Sequence, residues 1–285
     1  MLLIVVILHT YPVHSTEIET DGQPNKYALL VGGGIVKHDT FESFYTNIEY
    51  SLKQMGYRDE NVKILFFGGN TPSHPIVEGD ATKTGFVEEL ILLENEIDSK
   101  DSLIIFRAGH GIIDLVLNKH DSFPKINDGI EFERFENRET IAMMRFPDGD
   151  LSYIEFGEKL RKIKAKQIIV VLNQCFAGQF TDITKIVKNS VVISETREVE
   201  FAFNQTRDTL KWQYDVWSFV KCFFDGFLHN SSRVGKISVW HAFQYMLLCN
   251  PHIDGIPVQA DRPLLKENPK IKYGSKLKEG TVFIY

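Results

Sequence analysis

Ser102-Leu103-Ile104-Ile105-Phe106-Arg107-Ala108-Gly109-His110-Gly111 is the stretch that decides the fold. It is a short apolar, partly β-branched run bounded on both sides, the pattern of a buried strand. A second stretch has the same design: Ile168-Ile169-Val170-Val171-Leu172-Asn173-Gln174-Cys175-Phe176-Ala177-Gly178. Each strand ends in a reactive side chain followed by glycine or a glycine-containing turn; one delivers histidine, the other cysteine. If the strands are parallel neighbours, His110 and Cys175 emerge together at the carboxyl edge of the sheet, where open α/β sheets place ligands. A thiol beside an imidazole is the minimum equipment for nucleophilic acyl transfer.

Outward from this pair, strands and helices alternate. Lys26–Val31 predicts a strand running into Gly32-Gly33-Gly34, and Phe41, Phe44, Ile48, Leu52 and Met55 have helical spacing ending at Gly56. Val62–Phe67 predicts a second strand, and residues 71–79 a loop. A helix capped by Thr82 or Thr84 follows, with Phe86, Leu90, Leu93 and Ile97 on one face. Asp114–Asp150 is charged and irregular, an excursion holding a short hairpin around Ile141–Phe146 and a turn at Pro147-Asp148-Gly149-Asp150. Leu151–Ile163 predicts a helix, Ser190–Ser194 a strand, and Trp212–Phe227 and Val239–Leu248 amphipathic helices. The tail from Asn250 is rich in Pro, Lys and Gly and closes on a short apolar strand. This alternation predicts a doubly covered, mostly parallel sheet.

The 285 residues are 43% apolar, enough for one substantial core. A net charge of -6 leaves no basic footprint, so nucleic acid is not an expected partner. Met1–Leu8 is apolar and a polar stretch from His14 to Lys26 follows. Residues 1–15 fit a signal peptide cut after Ser15, with Val13 and Ser15 at the small-residue positions. The lack of Lys or Arg before the run leaves an extra N-terminal strand open. No later segment is long and apolar enough for a membrane span, so the chain after signal removal is expected to be soluble and either secreted or lumenal. Of the three cysteines, Cys222 and Cys249 are either bridged or buried as small hydrophobes, with Cys175 free. The triplets at Asn204 and Asn230 match the glycosylation pattern but carry little weight.

Other chemistries lose their signals. Gly32-Gly33-Gly34 does not extend to GxGxxG, because Lys37 stands where glycine is required. No phosphate-binding GxxxxGK[ST] or nucleophile-elbow GxSxG occurs. His74, His120, His229, His241 and His252 lack metal-ligand spacing, so neither a metal nor a cofactor is expected. The histidine–cysteine pair stands apart, since small neighbours on both sides let a substrate backbone come close and leave backbone N–H groups to face it.

The chain resembles the caspase-like cysteine peptidases, a superfamily that includes caspases, metacaspases, legumains and clostripain-type enzymes. The resemblance rests on Gly109-His110-Gly111 and on Cys175-Phe176-Ala177-Gly178, each ending an apolar strand. It extends to Asp101-Ser102-Leu103, to Leu151-Ser152-Tyr153, to Lys166-Gln167-Ile168 and to the segment from Val191 through Glu198. What it implies is a three-layer αβα sandwich with a mostly parallel central sheet, in one peptidase domain over residues 26–285 with a C-terminal extension. It further implies a Cys175 nucleophile, His110 as general base and acid, and an oxyanion hole from the backbone N–H groups of Gly111 and Cys175. The partner is then a peptide or protein substrate.

Departures from the family bear on specificity. Legumains carry an acid directly after the nucleophile, where this chain has Phe176. Asp114, Glu195 and Glu198 could receive a basic side chain, as acids do in metacaspases, or be solvated loop charges. Arg107 and Arg197 could equally receive an acidic one. Asn230-Ser231-Ser232-Arg233 lacks the carboxylates that a calcium loop of some bacterial relatives would need. Hydrolysis is the leading expectation. Acyl transfer to an amine by the same dyad, and a catalytically silent binding domain, are the alternatives.

Overall fold

The computed structural model describes residues 24–33, 48–66, 77–115, 140–196, 219, 222–228, 237–249 and 268–284. In chain order it begins with β1 (Lys26–Gly33), a helical segment at 48–54, β2 (Val62–Phe66), β3 (Gly79–Asp80), α1 (Lys83–Glu96) and β4 (Ser102–Gly109). Next come β5 (Gly111–Leu115), β6 (Thr140–Phe146), β7 (Gly149–Ser152), α2 (Tyr153–Leu160) and β8 (Gln167–Asn173). A 3-10 turn over Ala177–Asp182 leads through α3 (Ile183–Ile186) to β9 (Ser190–Ser194). Beyond a helical segment at 222–228 lie β10 (Ile237–Ser238), α4 (Val239–Cys249), β11 (Lys270–Tyr273) and β12 (Phe283–Ile284).

Seven strands form the central sheet in the order β11-β9-β8-β4-β1-β2-β3. Every neighbouring pair is parallel except β11 with β9. Successive residues of each strand face opposite sides, and both sides are covered. Ala28, Leu30, Ile104, Phe106, Ile169 and Val171 pack with Leu52, Phe223, Phe227 and Met246. The residues between them, Leu29, Leu103, Ile105, Val170 and Leu172, pack with Phe86, Leu93, Phe156 and Phe180. That is why the strands read as unbroken apolar runs rather than alternating ones. Each such side chain taken out of water contributes about 1.5–3 kcal/mol. The result is an αβα sandwich, as expected.

The segment after His110 differs from its expectation. Asp114 and Leu115, placed at the start of the irregular excursion, instead end β5, which pairs with β6; β6 pairs with β7 in the expected hairpin, and the three make an antiparallel sheet. Leu151 belongs to β7, opposite Met144, rather than to a helix. The helix starts only at Tyr153 because Ser152 is its N-cap, closed reciprocally with Glu155 in a capping box. β11 has no counterpart in the sequence reading. Its Lys270-Ile271-Lys272-Tyr273 pattern is that of a lysine-bearing edge strand. Cys222 and Cys249 are joined in a disulfide, which settles the open alternative for that pair. The residues of the expected signal peptide, the triplets at Asn204 and Asn230, Arg197 and Glu198 lie outside the described residues.

The turn between β6 and β7 also serves α1. Thr82 caps the helix through Gly85 N–H, while the Asp148 carboxylate accepts from the Lys83 and Thr84 N–H groups and the Thr84 hydroxyl. What little burial Asp148 has opposes its ionisation, but these donors outweigh it and hold its pKa below the usual carboxylate value. Replacing Asp148 with alanine should cost about 0.5–1 kcal/mol, the low end for a cap at an exposed site. Because the folded pKa is depressed, that contribution is complete above about pH 4, the unfolded value, and is lost as pH falls through the folded one. Thermal melts of wild type and Asp148→Ala should therefore differ at pH 7 and converge as pH falls below the unfolded value; a gap that does not narrow in acid would assign the effect to something other than the carboxylate.

Candidate active site

β4 and β8 are adjacent and in register from Ser102 with Gln167 through Ala108 with Asn173. Two residues beyond that last pair stand His110 and Cys175, so the strands bring both to one level of the sheet's carboxyl edge. His110 is exposed and Cys175 is half-buried and unbridged.

Gly111 seals the junction. A Cβ there would lie 1.9 Å from the Cys175 carbonyl oxygen and 2.9 Å from its carbon. No side chain fits, so the His110 turn lies directly against the Cys175 peptide. The pairing of β5 and β6 also orients the Gly111 peptide. Arg145 N–H donates to the His110 carbonyl at 2.9 Å, which makes Gly111 and Met144 a non-hydrogen-bonded pair. In such a pair both residues turn their N–H and C=O away from each other. Gly111 N–H therefore faces away from β6.

The cysteine turn is held from below. Phe176 has left-handed backbone (φ 58, ψ 21), an uncommon state for a bulky residue and worth about 1 kcal/mol or more of strain. The buried Thr196 hydroxyl spans that turn, accepting from Ala177 N–H at 3.0 Å and donating to the Gln174 carbonyl at 3.2 Å. Thr196→Val would leave both groups unmet and buried, at a cost of about 2–3 kcal/mol. For a chain of this size that lowers Tm by roughly 5–10 °C. Thr196→Ser, which keeps the hydroxyl, should stay near wild type; equal melts for the valine and serine variants would show that the hydroxyl holds nothing.

Four buried polar side chains, Asn173, Glu195, Arg107 and Gln174, frame the strand ends. Asn173 donates to the Glu195 carboxylate at 2.7 Å. Arg107, fully buried, donates to the Gln174 side-chain oxygen, to the His110 carbonyl at 3.0 Å and to the Arg145 carbonyl at 2.8 Å. Its guanidinium sits 5.0 Å from the Phe146 ring centre. The Gln174 side-chain nitrogen is buried with no hydrogen-bond partner among the described residues.

Of the residues singled out from the sequence, His110, Gly111, Cys175 and Phe176 come together. Phe176 is 7% exposed and packs into the core beneath the turn. Glu195 is not a loop charge at the rim. It directly follows β9, is 2% exposed, and lies against Asn173, two residues before Cys175. Asp114 stands apart on β5, exposed. Arg107 is fully buried, and its guanidinium donates to the strand ends themselves. The signal that could have revealed it was its place in an otherwise apolar strand, a break in local consistency that tends to mark function. Thr196 carried no comparable signal, since only the topology brings β9 beside the cysteine turn.

Among the described residues, no group of His, Cys, Asp and Glu could hold a metal ion, and no helix is long and apolar enough to cross a membrane. A scan against family models finds no match, and a search of curated proteins finds no relative. Among solved structures, the chain is similar to the caspase-1 of Spodoptera frugiperda, with a TM-score of 0.53 over 89% of this chain and 89% of that one. The fold is caspase-like. At 11% identity, the likeness is one of architecture.

Proposed function

We propose that this chain is a cysteine endopeptidase that cuts peptide bonds through His110 and Cys175. The observation that carries this is the register of β4 and β8, which sets a histidine and an unbridged cysteine level at the carboxyl edge of a caspase-like sheet. The Cys175 thiol loses its proton to His110 and its sulfur attacks the substrate carbonyl. His110 returns that proton to the leaving amine, and the C–N bond breaks to leave a thioester. Water, deprotonated by His110, then attacks the thioester and frees Cys175 as a thiol. The developing oxyanion is met by the backbone N–H groups of Gly111 and Cys175, and the outward turn of the Gly111 peptide supports that role.

Substrate recognition falls to the exposed rim. Asp114, exposed on the strand that follows His110, is a candidate acid for a basic side chain, with Glu198 beyond the described residues. Glu195 and Phe176 would shape the site from beneath. The disulfide between Cys222 and Cys249 fits an oxidising, secreted or lumenal setting.

A positional-scanning peptide library, run before and after treatment with iodoacetamide, tests the proposal. Cleavage that alkylation abolishes supports it, and cleavage indifferent to alkylation overturns it. Product ligated to an added peptide amine would assign the acyl group to an amine acceptor instead of water.

A further inference from the structure

A guanidinium inside an apolar strand is expensive to bury, and a leucine or phenylalanine in its place would fill the same space without that cost. Arg107 nevertheless lies near the carboxyl end of β4, the middle strand of the sheet, three residues before His110. Its three acceptors belong to different parts of the chain: Gln174 at the end of β8, His110 between β4 and β5, and Arg145 on β6. We propose that Arg107 is a positioning residue, whose rigid fork ties the His110 backbone to the Gln174 side chain and so sets the placement of His110 relative to Cys175.

Several observations support the assignment. The guanidinium is planar and always charged, so the fork keeps its shape and donors at every working pH. It lies against the Phe146 ring, 5.0 Å from its centre, which limits its rotation. The His110 carbonyl accepts twice, from Arg107 and from Arg145 N–H, so this turn is pinned from two directions. Gln174 is 1% exposed, and among the described residues its side-chain nitrogen has no partner. Arg107 is thus what orients this amide, on the residue directly before the nucleophile.

The inference rests on the peptidase reading, so its test has a readout that does not need cleavage. Arg107→Met, Arg107→Lys and Gln174→Met are compared with wild type for thermal unfolding, for kcat and KM on a peptide substrate, and for the rate of Cys175 alkylation by iodoacetamide at neutral pH. A loss of placement without loss of fold should lower kcat by about 30-fold or more in Arg107→Met, with KM changed less than about threefold. Arg107→Lys should recover part of that, since an ammonium is a point charge without the fork. Gln174→Met keeps the cation and should lower kcat by about tenfold; it decides the matter if Arg107→Met does not fold. A folded Arg107→Met or Gln174→Met with kcat within twofold of wild type overturns the proposal. If wild type cleaves nothing, the peptidase reading falls while the alkylation rate still reports on Arg107. Slowing by about fivefold or more then supports positioning, and unchanged rates refute it.

Discussion

Cys175→Ala is expected to remove peptide cleavage, lowering kcat/KM by at least about 10³-fold while leaving the melting curve near that of wild type. Alanine keeps the backbone of the cysteine turn, which Thr196 holds through the neighbouring Gln174 and Ala177 peptides rather than through the thiol. What is lost is the atom that forms the thioester. His110→Ala should fall in the same range, about 10²–10⁴-fold, because the thiol then lacks its base and the leaving amine its acid. The double variant should be little worse than the poorer single one, since two groups that act as one unit do not contribute independently. Steady-state kinetics on one peptide would show this; losses that multiply would mean that the two residues act separately.

Gly111→Ala carries the second large effect. The obstacle is space, with a Cβ 1.9 Å from the Cys175 carbonyl oxygen. A backbone atom cannot swing aside as a side chain can, so β5 or the cysteine turn has to move. Either movement displaces the Gly111 N–H from the position where an oxyanion would form, and losing one such donor costs about 10²–10³-fold in kcat. The Tm should also drop, by roughly 5 °C or more. Gly280→Ala is the contrast. There φ is +74° and nothing lies within 4 Å, so only about 1 kcal/mol of backbone strain is expected and kcat should hold. Equal activity losses in the two variants would remove Gly111 from the site.

How much of this was legible in the sequence depends on the range of the forces involved. The strands of the sheet were readable because burial on both faces leaves an unbroken apolar run such as Ile168–Leu172, and that signal is local. The pair His110 and Cys175 was readable for the same reason, since each follows such a run within a few residues. β5 was hidden because it is only five residues long and its partner β6 begins 25 residues after β5 ends, well beyond any local pattern. β11 was hidden because an edge strand at the rim keeps lysines and needs no apolar run. The apolar spacing that begins at Leu151 starts the expected helix two residues too early, because the capping box at Ser152 sets the first turn of α2 at Tyr153. In the sequence Arg107 and Glu195 read as groups that could receive a charged substrate side chain, or for Glu195 as a solvated loop charge, since charge in a sequence signals solvent. Only the fold shows both turned inward to pin the strand ends.

The central claim is that the two strand ends make one reactive unit. Its most direct measurement is the rate at which a peptidyl chloromethyl ketone modifies the protein, with the labelled residue mapped by mass spectrometry, in wild type and in folded His110→Ala. The account predicts label on Cys175, and a rate at least about tenfold lower without His110. Equal rates in the two proteins, or label that bypasses Cys175, would contradict it.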